Sequence, residues 1–207
     1  LLFPPELRAL MSDNARGTYC APAAAADSSH VYFIRMSRRK GESTVPVMRS
    51  ADPASGRWEP CGQLRVTSDP ALFFDPSGRA WLYHGLGRPT KVFEINTNTW
   101  TEIPGSERPL RPAITNLADF YGGYERGRRE LLGEEDTGAW LGKFANLPCQ
   151  EAAWMTAYRG RYYLQYATPG TVTEWYGDTV MEGDSPVGPF HHVPYAPASL
   201  KVGGFIG

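Results

Sequence analysis

The sequence predicts an all-β fold of radial design, a β-propeller of which this chain of 207 residues represents about three to four blades. Three segments of the chain follow one plan, and two of them carry an acidic residue at matching points. The 22 glycines and 18 prolines favour frequent turns over long helices. An aromatic content of 13% is typical of β-rich structure.

Each of the three segments consists of a short apolar strand, a polar turn and an aromatic-rich strand; they are residues 23–37, 71–85 and 152–167. Turn chemistry is clear at residues 75–78 (DPSG) and 158–160 (YRG). The near-continuous apolar strands are typical of sheets that are covered on both faces, as stacked propeller blades are.

A second pair of predicted strands follows each segment. The pairs are residues 45–50 with 58–61, 91–95 with 99–103, and 179–184 with 190–193. Four strands per unit is the pattern of a propeller blade. The longer gap between the second and third units predicts an insertion at residues 111–147, which are charged, rich in glycine and weakly periodic.

The three units cannot close a propeller by themselves, because closure needs at least about four blades. The chain also begins without a methionine and ends on small and apolar residues (KVGGFIG). We therefore expect residues 1–207 to be a single, partial β-propeller domain of a larger protein.

Composition argues against several classes of protein. A net charge of −1 gives no long-range attraction to nucleic acid or anionic lipid. The short basic runs at 37–40 and 126–129 are interpreted as solvated loops, because acidic residues follow both. No apolar run reaches the length of a membrane span, and residues 1–10 lack the pattern of a signal peptide. Cys20, Cys61 and Cys149 are too widely spaced to predict a disulfide framework or a zinc site.

Two acidic residues are the candidates for chemistry. Glu151 directly precedes the apolar strand of the third segment, and Asp69 stands in the corresponding place before the second. Acids at matching points of two blades are expected to face a common centre, and two carboxyl groups flanking one bond are what glycoside hydrolysis needs. For either acid alone a surface or turn position is the commoner role, and Asp69-Pro70 is also a usual start of a turn.

The order of motifs resembles glycoside hydrolase family 43, a group of inverting enzymes. Residues 68–85 (SDPALFFDPSGRAWLYHG) are similar to the Asp-Pro blade start of that family. Residues 151–164 (EAAWMTAYRGRYYL) are similar to its Glu-Gly-(Ala/Pro)-Trp blade start and the Tyr-Tyr-Leu strand that follows. Residues 176–178 (YGD) and 188–190 (GPF) match later parts of the pattern, so that the resemblance covers residues 20–207.

The resemblance implies a five-bladed β-propeller in which Glu151 is the general acid. It makes Asp69 the carboxylate that orients this acid and tunes its pKa. The glycine that usually follows the acid is Ala152 here, which adds a methyl group close to the sugar. The general base, an aspartate of an earlier blade, has no clear counterpart, since Asp13 lacks the expected neighbours. The histidine of a Gly-His-Gly-Ser-type motif would fall beyond Gly207, so we expect the 207 residues alone to hydrolyse little.

Three further residues are candidate substrate contacts. Trp154 and Tyr176 would offer flat apolar faces to a sugar ring, and Asp178 would accept hydrogen bonds from sugar hydroxyls. Core packing is an equal alternative for the two aromatic residues, and a turn position is the alternative for Asp178. The substrates implied are plant polysaccharides or oligosaccharides that contain arabinose, xylose or galactose.

No cofactor, metal ligand, nucleic-acid partner or membrane partner is predicted, and a structural calcium ion at the propeller axis is left open. The resemblance implies a secreted or periplasmic protein. Two alternatives to an enzyme remain. One is a carbohydrate-binding or inactive propeller remnant, because the general base is not visible. The other is a protein-interaction propeller, because residues 92–104 (VFEINTNTWTEIP) resemble a kelch blade; the expected glycine pair, however, comes only later, at 122–123.

Overall fold

The computed structural model describes residues 21–36, 44–85, 90–110, 151–168 and 177–193. The predicted insertion at 111–147 and the candidate Tyr176 lie outside these ranges. Within them the strands are β1 (Ala23–Ala26), β2 (Val31–Ile34), β3 (Val45–Ser50), β4 (Glu59–Leu64), β5 (Ala71–Phe74), β6 (Ala80–His84), β7 (Lys91–Asn96), β8 (Thr101–Glu102), β9 (Arg108–Pro109), β10 (Glu151–Tyr158), β11 (Arg161–Thr168), β12 (Gly177–Gly183) and β13 (Phe190–His192). A short 3-10 helix, Pro53–Ser55, precedes β4.

These strands form three sheets, each built from strands that are consecutive in sequence. The first sheet has the order β1-β2-β3-β4, the second β5-β6-β7-β8, and the third β10-β11-β12-β13. The strand pairs of defined register are antiparallel. The prediction of three units that each follow a four-strand path is confirmed, and the second sheet has a fifth, short strand, β9, beside this path.

Two details of the second sheet differ from the prediction. The strand predicted at residues 99–103 shrinks to β8, because the turn before it extends through Trp100, whose backbone N–H donates to the Asn96 carbonyl at 2.7 Å. Trp100 itself adopts a left-handed φ of 52°, which ends the turn. The short strand β9 was not predicted; it pairs with β7 and leaves no apolar pattern in the sequence.

The chain divides into two compact units. Leu1–His84 and Val92–Arg108 make the first unit, which contains the first two sheets; Gly85–Lys91 and Pro109–Gly207 make the second, which contains the third sheet. In the described part of the chain, no helix is long and apolar enough to cross a membrane.

The core of the first unit is shared by its two sheets. Tyr32 of the first sheet stacks on Trp100 of the second, with ring centroids 4.2 Å apart, and its ring also lies against Phe74 at 5.4 Å. Aliphatic side chains from both sheets surround this aromatic group, among them Ile34, Val45, Val47, Leu64, Leu72, Leu82 and Ile95. Since burial of each such side chain is worth about 1.5–3 kcal/mol, the contact between the two sheets is a main source of stability in this unit.

Carboxylates close the first hairpins of the first two sheets. Asp27 accepts four hydrogen bonds across the β1–β2 turn, from the Ser29 and His30 backbone, the Ser29 hydroxyl and the Tyr32 phenol. Asp75 accepts five in the β5–β6 turn, from the Ser77 and Arg79 backbone, their side chains and the Trp81 indole. In both turns the acid replaces water as the partner of backbone groups, so each acid has a structural role.

The same hydrogen bonds set the ionisation of these acids. Partial burial disfavours the charged form of Asp27, but the donors from Ser29, Tyr32 and His30 outweigh it and lower the pKa from 3.8 to about 2. At Asp75 burial likewise opposes ionisation, and the donors from Ser77, Trp81 and Arg79 lower the pKa below its ordinary value.

The β10–β11 hairpin of the third sheet uses a different turn. Its two central residues, Arg159 and Gly160, both have positive φ angles, 49° and 77°. This is the geometry of a type I′ turn, whose twist matches that of antiparallel strands. Burial along β10 alternates: Ala153 and Met155 are buried, whereas Trp154 and Thr156 are exposed. The third sheet therefore has one buried face and, among its described residues, one more accessible face.

A close backbone approach in the first unit requires a glycine. A Cβ atom at Gly62 of β4 would lie 2.6 Å from the Thr99 carbonyl oxygen and 2.7 Å from that of Trp100. These are backbone atoms of the β7–β8 turn, which cannot move aside without disturbing the buried Trp100.

We expect Gly62→Ala to destabilise the protein by about 1–3 kcal/mol, as overpacking of a fixed site does. Chemical denaturation monitored by circular dichroism measures this. Gln63→Ala, at the adjacent exposed position of the same strand, is the control and should change stability by no more than about 0.5 kcal/mol. Equal stability of Gly62→Ala and the wild type would contradict the close approach.

We expect Asp27→Asn to lower stability at pH 7 because a neutral amide cannot accept the four bonds as well. A lowered folded pKa gives stability that is fully present above the unfolded value of 3.8 and is lost as the pH falls through about 2. The stabilities of wild type and variant should therefore converge between those two pH values. Urea titrations across this range test the prediction, with Asp52→Asn as a control, since the Asp52 carboxylate makes no capping bond.

Candidate active site

Glu151 is the first residue of β10, at a point where the strand pairing is irregular. Its Cα partner is Ala167, but the next defined pair is Trp154 with Gln165, so β10 has one residue more than β11 between these pairs. The extra residue forms a β-bulge, and Ala152 within it has a φ of 52°. Bulges re-aim side chains at strand ends, and this one directly follows Glu151.

A second carboxylate lies in the same cross-strand row as Glu151. Ala167 of β11 pairs with Glu151 on one side and with Asp178 of β12 on the other. Paired residues in adjacent strands project from the same face, so Glu151 and Asp178 share a face of the third sheet with only a methyl group between them.

The neighbouring row supplies an aromatic and an amide side chain. Trp154 pairs with Gln165, and its side chain is 48% exposed. The Gln165 Nε2 atom donates a hydrogen bond of 2.9 Å to Asp178 Oδ2. This bond fixes one oxygen of Asp178 and leaves the other to accept further donors.

The Glu151 carboxyl group is half-buried, and its Oε1 atom is fully shielded from solvent. Among the described residues, none donates a hydrogen bond to this oxygen. A buried oxygen without a donor is costly, and such atoms are found where a ligand or an ordered water completes the bonding. Its surroundings differ sharply from those of Asp75, which accepts five hydrogen bonds.

Asp69 lies in the segment that leads from β4 to β5, two residues before β5 begins. Its neighbours Ser68 and Pro70 are buried, and its φ is 41°. The first sheet repeats this conformation at Ala21, with a φ of 44°, also directly before a proline and two residues before its first strand. The second sheet therefore places an acid where the first places an alanine.

The structure brings together three of the five predicted site residues. Glu151, Trp154 and Asp178 share one face of the third sheet within two adjacent rows. Asp69 belongs to the other compact unit, so that its approach to Glu151 stays a prediction. Tyr176 lies outside the described residues. Within the described ranges no group of three or more His, Cys, Asp or Glu residues is arranged to hold a metal ion.

Sequence reasoning missed Gln165 and Ala167. A signal for Gln165 was present, because it is the polar residue between Leu164 and Tyr166 in an otherwise apolar strand. Nothing in the sequence singles out Ala167, whose importance comes from its pairing with two acids.

Comparison with known proteins identifies the family. The sequence model of the family 'Glycosyl hydrolases family 43' matches residues 9–201 of this chain. The chain belongs to this family. Xylosidase/arabinosidase 43A of Humicola insolens is 31% identical over 138 residues, which are 59% of this chain and 40% of that protein. The chain therefore spans well under half the length of this curated relative.

Solved structures of family 43 share the fold. A family member retrieved from a capybara gut metagenome (GH43_12) superposes with a TM-score of 0.61 at 22% identity, covering 86% of this chain and 31% of that one. The xylan β-1,4-xylosidase of Bacillus halodurans C-125 gives a TM-score of 0.56 at 18% identity, again with 86% and 31% coverage. The predicted all-β propeller fold, represented over part of its length, is confirmed. The family match also covers the segment at 92–104 that resembles a kelch blade.

Membership of family 43 explains why the residue after Glu151 has a left-handed backbone. The family pattern expects glycine after the acid, and the observed φ of 52° is a conformation that glycine adopts without strain. Alanine there costs roughly 1 kcal/mol or more, because its Cβ approaches the following carbonyl oxygen.

We expect Ala152→Gly to raise the stability of the protein by about 0.5–1 kcal/mol, since relief of the strain exceeds the added chain entropy. Thermal melting and urea titration measure the change. Ala157→Gly, in the regular part of the same strand, is the control and should be destabilising instead. If both substitutions destabilise to a similar degree, position 152 is not strained.

Proposed function

We propose that this chain is part of the single catalytic β-propeller domain of an inverting glycoside hydrolase, with Glu151 as its general acid. The single observation that supports this most is the position of Glu151: it starts the first strand of the third sheet at a bulge, and its buried Oε1 atom has no hydrogen-bond partner among the described residues. This is the situation expected of an acid whose partner is the oxygen of a glycosidic bond.

The proposed reaction is a direct displacement at the anomeric carbon. Glu151 gives its proton to the leaving oxygen, while a general base on the opposite side of the sugar takes a proton from the attacking water. The two carboxyl groups of an inverting site are about 6.5–9.5 Å apart, which leaves room for the water. We assign the base to a residue outside this chain, because no aspartate in the sequence has the expected context.

Asp69 is proposed as the carboxylate that orients Glu151. Its left-handed backbone at the start of β5 aims it differently from the turn acids Asp27 and Asp75. Since the two acids belong to different compact units, the proposal requires that the first strands of the second and third sheets meet at a common centre. Removing the Asp69 charge should then impair proton donation by Glu151.

Trp154, Asp178 and Tyr176 are proposed as substrate contacts. The exposed Trp154 indole offers an apolar face for stacking on a sugar ring. The Asp178 oxygen that Gln165 does not hold is available to accept a hydrogen bond from a hydroxyl. The Humicola insolens relative is named a xylosidase/arabinosidase, which supports xylose- or arabinose-containing plant glycans over galactose-containing ones.

A binding module without turnover is the second candidate. The absence of a recognisable general base from the sequence favours it. In that case the face that carries Glu151, Trp154 and Asp178 would bind glycans without cleaving them.

We expect Glu151→Gln, in the full-length protein, to lower kcat on xylo- or arabino-oligosaccharides by about 10²–10⁴-fold, because the amide cannot donate the proton. On a nitrophenyl glycoside, whose leaving group needs little protonation, the loss should be much smaller. Glu182→Gln is the matched control: it lies on β12, on the same face, but its carboxylate contacts His191 and Arg161. Full activity of Glu151→Gln on both substrates would remove Glu151 from the mechanism, whereas glycan binding without any hydrolysis by the wild type would favour the binding module.

A further inference from the structure

We propose that Arg65, Thr67, His84 and Glu107 form a positioning network that holds Asp69 in its working orientation. This inference rests on the proposed function, since it assigns these residues a role only through Asp69. All of them belong to the first compact unit, as Asp69 does. The sequence motifs do not single them out as a group.

Arg65 anchors the beginning of the segment that carries Asp69. Its guanidinium group makes a forked contact with Glu102, with Nε to Oε2 at 3.2 Å and Nη2 to Oε1 at 3.1 Å. The same Nη2 atom donates to Glu107 Oε2 at 2.5 Å. Forked, charge-assisted bonds are more rigid than a single ion pair, so the backbone is held four residues before Asp69.

His84 anchors the middle of the same segment. Its side chain, at the end of β6, is completely buried. The Thr67 backbone N–H donates to His84 Nδ1 at 3.4 Å, and the Thr67 hydroxyl lies 3.2 Å from the same nitrogen. The other ring nitrogen, Nε2, lies 3.7 Å from Glu107 Oε2. Glu107 therefore lies beside both anchors: it accepts a hydrogen bond from Arg65, and it approaches His84 Nε2 at a distance longer than a hydrogen bond.

Packing reinforces the polar contacts on both sides of Asp69. Val66, Ser68 and Pro70 are buried, and Val66 belongs to the core shared by the first two sheets. Arg65 and Thr67 are thus held by polar contacts, and Val66 and Ser68 are buried. These four residues directly precede Asp69, whose backbone is left-handed. A residue with a φ of 41° keeps that conformation only when its surroundings determine it strongly, and this network provides those surroundings.

A positioning role of these four residues predicts a change in activity that a purely stabilising role does not predict. If it acts through Asp69, loosening it should weaken proton donation by Glu151 and hardly affect the other steps. Hydrolysis of substrates with poor leaving groups depends on that proton, whereas hydrolysis of nitrophenyl glycosides depends on it much less. A loss of folded protein would lower both activities by the same factor.

The experiment compares kcat on a pentose disaccharide and on the matching nitrophenyl pentoside, in the full-length protein, for Arg65→Met, His84→Leu and Asp69→Asn. We expect Asp69→Asn and both network variants to lose at least about tenfold more activity on the disaccharide than on the nitrophenyl substrate. Because the effects pass through one residue, Asp69→Asn combined with Arg65→Met should add little to Asp69→Asn alone. His84→Asn, which keeps an acceptor near the position of Nδ1, should recover much of the His84→Leu loss. Arg49→Met is the control, since Arg49 also makes an ion pair, with Glu59, at an exposed site of the first sheet.

Equal losses on the two substrates, or full additivity with Asp69→Asn, would overturn the inference while leaving the proposed function intact. Failure of the proposed function is distinguishable, because then the wild type would not hydrolyse either substrate, or Glu151→Gln would keep full activity; in both cases the inference falls with it. If His84→Leu does not fold, Arg65→Lys replaces it: lysine keeps the charge but cannot make the forked contact, so the same selective loss is expected and an unselective one contradicts the network.

Discussion

The placement of both proposed acids depends on backbone conformations that amino acids with side chains rarely adopt. Asp69 itself has a left-handed φ, and Ala152 has one directly after Glu151. Each such residue costs about 1–2 kcal/mol, which the surrounding structure must offset. In the second sheet the offset comes from the shared core and from the polar contacts around Arg65 and His84. In the third sheet it comes from the long pairing of β10 with β11, which is regular on the far side of the bulge.

Hydrogen bonding separates the structural acids of this protein from the proposed functional one. Asp27 and Asp75 are saturated by donors of their own turns, and their lowered pKa values follow from that. Glu151 Oε1 is also shielded from water, yet no described residue donates to it. The first situation stabilises a hairpin, whereas the second leaves a carboxyl oxygen that can, when it carries the proton, donate a hydrogen bond to a substrate oxygen. Acid residues that look alike in the sequence therefore have opposite hydrogen-bonding environments.

Much of the fold could be predicted from the sequence because its signals are local. The hairpins around residues 75–78 and 158–160 follow from turn chemistry, and the observed strands lie where apolar and aromatic residues alternate with those turns. The shortened β8 could not be predicted, because it depends on the left-handed Trp100 being held in the shared core. The apolar pattern of the sequence places Trp100 in a strand, whereas tertiary packing places it at the end of the turn before β8.

The candidate site was predictable only in part, for a similar reason. Glu151 and Asp69 stand out by their positions before apolar strands, and both lie within the residues that the family match covers. Gln165, Ala167 and the residues around His84 became visible only through strand register and long-range contacts. The register of two paired strands depends on all of their residues together, so the identity of one residue does not predict which residue it will pair with.

Because Trp154 is exposed, its fluorescence can report on what binds to the face that carries Glu151. Among the tryptophans of the described residues, Trp81 and Trp100 are buried and Trp58 is partly buried, whereas Trp154 is 48% exposed on the face that carries Glu151. A water-soluble quencher such as iodide will reach the indole of Trp154 far more readily than the two buried ones. Occupation of that face can thus be followed by fluorescence, even with a variant that performs no chemistry.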